Sequence, residues 1–290
     1  MKPDATASAR KLFHPRRVLA PMLGTAVLVL IAVPFFFPFW WMITSSFKTA
    51  TEVFADPSLF PSVWRWRNFI GAFHYQPFAR HYFNSVYIAL IVTFSTVFIC
   101  SMSGYAFSRL RFRGRSILFV LILSSLMMPA EVTIVPNFFL MNYLGLTNTH
   151  WPLILLAVLG AHGALATFIM RQHFLTLPSD VEDAARIDGL SNFGILIRIA
   201  MPIAGSAISA VTILTFLHSW NLFLEPLVFI NELELFTLPL SLNNFRDAYG
   251  VPLWHLQLAA TTMSVVPILL VYIVAQKRIA NALAFSGIKG

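Results

Sequence analysis

Four of the twelve acidic residues in this 290-residue chain, Asp180, Glu182, Asp183 and Asp188, fall within nine positions of the stretch PSDVEDAARIDGL. Their spacing suits helix ends. Ser179 can cap an N-terminus with Glu182 three positions on, a capping box. Asp180, Glu182 and Asp183 also put negative charge where the helix dipole favours it. Gly189 can take the left-handed conformation that ends such a helix. Val181, Ala184, Ala185 and Asp188 then share one face at i, i+3, i+4 and i+7, flat enough for another protein's backbone to approach. Beyond Gly189, SNFGILIRIAMP predicts a second short helix capped by Ser191, with Pro202 opening the next apolar run. A helix-turn-helix of about thirty residues exceeds the 2–8 of ordinary helix–helix connections.

A second set of polar residues lies inside apolar runs, where such groups are functional candidates. His218, Asn221 and Glu225 stand at i, i+3 and i+7, and Glu131 lies between Pro129 and Pro136, with Asn137 beyond. They could hydrogen-bond a hydroxyl-rich solute in a translocation path, with Trp220 and Phe223 packing on a sugar ring. They could equally satisfy one another between helices. His162 with His218 raises haem ligation, but a hydrogen-bonded helical histidine is the commoner case. A phosphate-binding G-x-x-x-x-G-K-[ST] loop is missing: Gly189 and Gly194 have its internal spacing, but Ile195-Leu196 follow. Neither H-E-x-x-H nor G-x-S-x-G occurs, and the one cysteine, Cys100, makes no metal spacing. The chain therefore carries no catalytic, cofactor or metal site that its motifs reveal.

The elements that position these residues are apolar. The chain is 58% hydrophobic and 11% charged, with mean hydropathy +0.74; soluble domains carry about 25% charged residues. Six runs, 18–44, 83–107, 116–142, 151–171, 201–230 and 256–276, reach the roughly 20 residues that span a bilayer. Lipid demands internally satisfied backbone, and the runs far exceed the about 10 residues of a barrel strand, so helices are expected. The first run is too long for a signal peptide and lacks a cleavage pattern, which makes it a retained anchor. The fold expected is an all-α integral membrane protein with six transmembrane helices.

Basic residues set the orientation. Lys2, Arg10, Lys11, Arg16, Arg17, Arg109, Arg111, Arg113, Arg115, Arg171, Arg186, Arg198, Lys277, Arg278 and Lys289 fall on one side; only Lys48, Arg65, Arg67, Arg80 and Arg246 fall on the other. The positive-inside rule places both termini in the cytoplasm. The net charge of +8 is thus a topology signal, not one for nucleic acid. The division expected is a cytoplasmic arm 1–17, a six-span domain 18–282 with a cytoplasmic loop 178–202 between spans four and five, and a cytoplasmic tail 283–290. Trp40, Trp41, Trp64, Trp66, Trp151 and Trp254 suit an interfacial belt. The outer loop 47–82 is expected to be partly helical.

Asp183-Ala184-Ala185, three residues, Gly189, nine residues, Ile199, one residue and Met201-Pro202 resembles the EAA loop of ATP-binding-cassette (ABC) importer permeases, E-A-A-x3-G-x9-I-x-L-P. Asp183 replaces the usual Glu and Met201 the usual Leu, with charge and apolar character kept. ARIDGL, FPFWWMITSSFK, FNSVYIAL, GYAFSRLRFRGR, MMPAEVTIVPNFFLMNYLGLTNTHW, SWNLFLEPL and the closing SGIKG are similar to the carbohydrate-uptake branch, nearest the smaller six-span permease of maltose-type importers. The resemblance implies a bacterial inner-membrane subunit. Its partners would be a second permease, a homodimeric cytoplasmic ATPase holding the ATP and Mg, an extracytoplasmic solute-binding protein and lipid. The loop would be a coupling helix docked on the ATPase through Glu182, Asp183, Ala184, Ala185, Asp188 and Gly189, with Ile199 and Pro202 completing the motif. The alternative, a self-contained ion-driven transporter, gives the capped alanine helix no role and predicts internal repeats that the sequence does not show.

Overall fold

The computed structural model describes the backbone of residues 15–55 and 58–286; their regular elements are all helices, joined by turns and loops that include one isolated bridge, Arg246 to Pro252. The arm up to residue 14, the tail 287–290 and the side chains of Arg16, Arg17, Lys277 and Arg278 lie outside the description. In chain order the helices are α1 Pro15–Ser45, α2 Glu52–Ala55, α3 Arg67–Tyr75, α4 Phe78–Arg109, α5 Arg115–Ser124, α6 Ala130–Tyr143, α7 Trp151–Leu159, α8 Ala161–Leu175 and α9 Ser179–Ile187. They continue as α10 Asn192–Ile203, α11 Gly205–Trp220, α12 Leu224–Phe229, α13 Leu238–Leu242 and α14 Trp254–Ser286. Among the described residues, four helical stretches are long and apolar enough to cross a bilayer, or up to six if each of two bent pairs is one span.

Each bent pair departs from a single continuous helix. The third run breaks between Met127 and Ala130, where its halves meet at 108°. Pro129 is the cause: it pushes the preceding Met128 out of the helical region, to φ −92° and ψ 117°. Pro136, in contrast, stays within α6, and α1 runs unbroken through Pro21, Pro34 and Pro38. The fifth run does not open at Pro202. That proline sits in α10, just after a π turn over Leu196–Ala200, and the chain bends by 84° at Ala204. A wide π turn beside a proline is a common way to absorb the missing N–H. The run breaks again after Trp220, and Pro226 falls in the first turn of α12, where no N–H is needed. The fourth run steps at Gly160 and continues to Leu175. The step brings Gly163 so close to the previous turn that a Cβ there would lie 1.8 Å from the Val158 carbonyl oxygen.

α4 is the central helix, packed on α8 and α11, while α11 also packs on α14. α1 leans on α14 and exposes nearly all of its apolar surface, as do much of α5 and α6. That surface is what lipid or a partner helix would cover. At one end, α3 and the segment after α12 form a polar cap on α4. Asn84 Nδ2 donates to the carbonyls of Glu234 and Phe236, each at 3.0 Å, and the buried His81 lies 2.9 Å from Ser241 Oγ. Lys48 is fully buried there, with Nζ donating to the Ser58 carbonyl at 2.7 Å. The outer loop is partly helical as expected, through α2 and α3. The C-terminal ends of α4 and α8 meet at the opposite end, together with α9 and α10.

Candidate functional site

α9 and α10 form the helix-turn-helix read from the sequence. Gly189 turns between them at φ 82°, and Ser191 caps α10 by accepting from the Gly194 N–H at 3.2 Å. The capping box at the start of α9 does not form. Pro178 occupies the N-cap position, Ser179 Oγ reaches only Asp180 Oδ1 at 3.4 Å, and Glu182 turns away. Its carboxylate instead enters the protein, 3% exposed. Glu182 Oε1 pairs with Arg109 Nε at 3.0 Å, and Oε2 accepts from Tyr105 Oη at 3.2 Å and faces Arg186 Nη2 at 3.5 Å. A buried carboxylate is tolerated only when paired and hydrogen-bonded in this way. The tertiary pair prevails over the local cap because a cap is worth about 1 kcal/mol, whereas orphaning a buried charge costs about 3–5 kcal/mol.

The inward turn of Glu182 fixes the rest of the helix. Ala185, on the same side, is 4% exposed and belongs to a core with Tyr105, Met170, Phe174, Ile195, Leu196 and Ala204. The expected shared face is therefore split: Val181, Ala184 and Asp188 are exposed, and Ala185 is not. Glu182 and Ala185 anchor the loop to the bundle, so a substitution at Ala185 would report packing, not docking. The face that a partner can reach is Asp180, Asp183, Ala184 and Ile187, at i, i+3, i+4 and i+7. Asp183 on it pairs with Arg186 at 2.7 Å, and Ile187 is 88% exposed. Ile187 was missed in the sequence. Its signal was there: it is the one large apolar side chain on an acidic stripe. Gly189 is exposed, Ile199 is half-buried against the core, and Pro202 lies just after the π turn.

The second candidate set meets only in part. A cavity of about 550 Å³ lies between α6, α7, α8, α11 and α12, and His218 and Glu225 line it together with Ser125, Thr133, Asn137 and His162. The expected single face of His218, Asn221 and Glu225 is corrected, because α11 ends at Trp220 and Glu225 sits on the next helix. Asn221, the C-cap, is exposed and donates back to the Leu217 carbonyl at 2.8 Å. Glu131 is exposed near the cavity rim, close enough to Glu225 for their charges to interact. Neither carboxylate pairs with a described Lys or Arg. Trp220 is not available to a sugar: it is buried and stacked on Phe216 at 5.6 Å. His162 is no lone histidine. It stacks face to face on His218 at 4.2 Å and lies 3.0 Å from Thr215 Oγ1. Parallel rings stacked this closely do not point their nitrogens at a common metal between them.

Residues 96–284 match the family described as the binding-protein-dependent transport system inner membrane component. The chain is 36% identical over 272 residues to the arabinooligosaccharides transport system permease protein AraQ of Halalkalibacterium halodurans, covering 92% of this chain and 95% of that protein. It is 35% identical to the probable ABC transporter permease protein YurM of Bacillus subtilis, covering 91% and 86%. The lactose transport system permease protein LacG of Rhizobium radiobacter is 29% identical, covering 92% and 96%. The fold is shared with a chain of a bacterial ABC transporter involved in the import of the acidic polysaccharide alginate, at TM-score 0.77, 22% identity and coverage of 91% and 97%.

Proposed function

The chain belongs to the inner-membrane components of binding-protein-dependent transport systems, and from that premise we propose that α9 is the element through which a cytoplasmic ATPase drives it. It is a permease subunit of an ABC importer of the carbohydrate-uptake branch. The outer face of α9 carries the docking proposal: a rigid, core-anchored helix that presents Asp180, Asp183, Ala184 and one exposed apolar side chain, Ile187. An apolar pocket rimmed by basic groups on the partner would complement it.

In this reading the chain crosses the membrane six times, with both termini and the α9–α10 loop cytoplasmic. Each bent pair would count as one span. The clustering of Arg109, Arg171 and Arg186 at one end of the bundle supports that polarity. A second permease would cover the apolar faces of α5 and α6, two ATPase copies would hold the ATP and Mg, and a solute-binding protein would deliver solute from outside. The solute is a sugar or sugar-like molecule, supported by relatives named for arabinooligosaccharides and lactose. The cavity bearing His218 and Glu225, with Glu131 and Asn221 near it, forms part of the path. A self-contained ion-driven carrier is not favoured.

The test is co-purification of the ATPase with Ile187→Glu. The expected result is a folded permease that loses its ATPase. Full retention of the ATPase by this variant would sink the docking proposal.

A further inference from the structure

α8 ends with carbonyls that have no partner within the helix. Arg109, from the last turn of α4, supplies one: its Nη2 donates to the Phe174 carbonyl at 2.6 Å and also to that of Leu177. Arg171 of α8 reciprocates. Its Nε donates to the Phe107 carbonyl of α4 at 3.2 Å, and its guanidinium lies 4.2 Å over the Phe119 ring of α5. The two helix ends are thus cross-tied by arginines. Arg109 alone has a further contact, the 3.0 Å pair between its Nε and the buried Glu182 of α9.

One guanidinium therefore joins three elements. Between α8 and α9 the covalent link is only Thr176-Leu177-Pro178, about which α9 could pivot if nothing else held it. We infer that Arg109 is a positioning residue for energy coupling: it locks α9 to the ends of α4 and α8, so that a displacement of α9 moves those helices instead of being absorbed at 176–178. The inference rests on the reading of α9 as the docking helix. Arginine suits the task because its planar fork can serve a carboxylate and two carbonyls at once, which lysine cannot do.

The test uses the whole reconstituted transporter and needs no identified solute. Two reporters are placed in it. Asn137→Cys, in the cavity wall, is labelled with a maleimide in the absence and presence of AMP-PNP. Ala184→Cys, on the outer face of α9, is cross-linked to ATPase lysines with an amine–thiol reagent. The native Cys100 is buried. Arg109→Met combined with Glu182→Leu removes both charges and leaves neither orphaned, which keeps the fold within reach.

With Arg109 in place, AMP-PNP is expected to change the labelling rate at Asn137→Cys by about fivefold or more, the scale of ordinary allosteric coupling. In the double variant the cross-link persists while that change falls below about twofold. A persistent cross-link with an undiminished labelling change overturns this inference alone. A cross-link lost only in the double variant also overturns it, since Arg109 would then serve docking and not transmission. No cross-link in the otherwise native complex overturns the docking reading, and this inference with it.

Discussion

The α9 loop and the cavity behind α6 both gather charged and polar groups, and they treat them in opposite ways. At the loop, Glu182 is buried and held by Arg109, Arg186 and Tyr105, and an apolar core closes around it. At the cavity, Glu225 and His218 face open space, and Glu225 pairs with no described basic residue. A buried charge held by opposite charges fixes the elements that carry it, whereas an unpaired polar group is costly unless something else satisfies it. The contrast fits the division of work proposed for the two regions: a loop that would transmit force as a rigid body, and a cavity that would keep hydrogen-bonding capacity for a guest.

The largest expected effect that tests this contrast is Ala185→Glu. A second carboxylate forced into the core beside Glu182 and Phe174 is expected to abolish the folded protein, at a cost of several kcal/mol. Ile187→Glu, two positions on, leaves folding intact. Size-exclusion chromatography in detergent separates the two outcomes, and equal behaviour of both variants would erase the distinction between the faces of α9.

Next in size is Gly104→Val at the crossing of α4 and α8. Even a Cβ there would lie 2.7 Å from Met170 Cβ and 2.8 Å from the Arg171 backbone nitrogen. Overpacking of this kind costs about 1–3 kcal/mol, and thermal unfolding in detergent should show it. An unchanged midpoint would mean that the helices separate freely and that the locked end is not rigid.

Glu225→Gln should do the reverse. Stability is expected to stay within about 0.5 kcal/mol while solute uptake falls. Destabilisation on the scale of the Gly104 variant would instead make Glu225 a structural group.

The smallest effect concerns the capping box, which forms not at Ser179 but at Thr49. Thr49 Oγ1 accepts from the Glu52 N–H at 3.1 Å, and Glu52 Oε2 accepts from the Thr49 N–H at 3.2 Å. Glu52 Oε1 also accepts from the Ser62 N–H at 2.8 Å. These hydrogen bonds, that from Ser62 first, hold the Glu52 carboxyl below its ordinary value of 4.5. Its contribution is therefore fully present above pH 4.5 and is lost as the pH falls through the lower folded-state value. Glu52→Ala should cost about 1 kcal/mol at neutral pH and flatten this acid dependence. A pH titration of unfolding for both proteins checks it.

The capping box shows where sequence reading reaches its limit. T-x-x-E at Thr49 and S-x-x-E at Ser179 are equivalent locally, yet only the first closes. What separates them is Tyr105, 77 positions from Glu182 in sequence, and Arg109 beside it. No local signal pointed to Arg109, which reads as one more cytoplasmic charge among its neighbours at 111, 113 and 115. Met128 is different. Its break was legible in Pro129, since a proline restricts the residue before it.

Composition, apolar run length, the turn at Gly189, the Ser191 cap and the EAA-like spacing were determined by the sequence alone. Each depends on residues within a few turns of one another, or on the mismatch between apolar side chains and water. Which side of α9 is buried, which polar residues share the cavity, and that His162 stacks on His218 were decided only by the tertiary structure. Those outcomes compare a local hydrogen bond worth about 1 kcal/mol with a buried charge whose partner arrives from another helix. The larger of the two set the face that α9 presents.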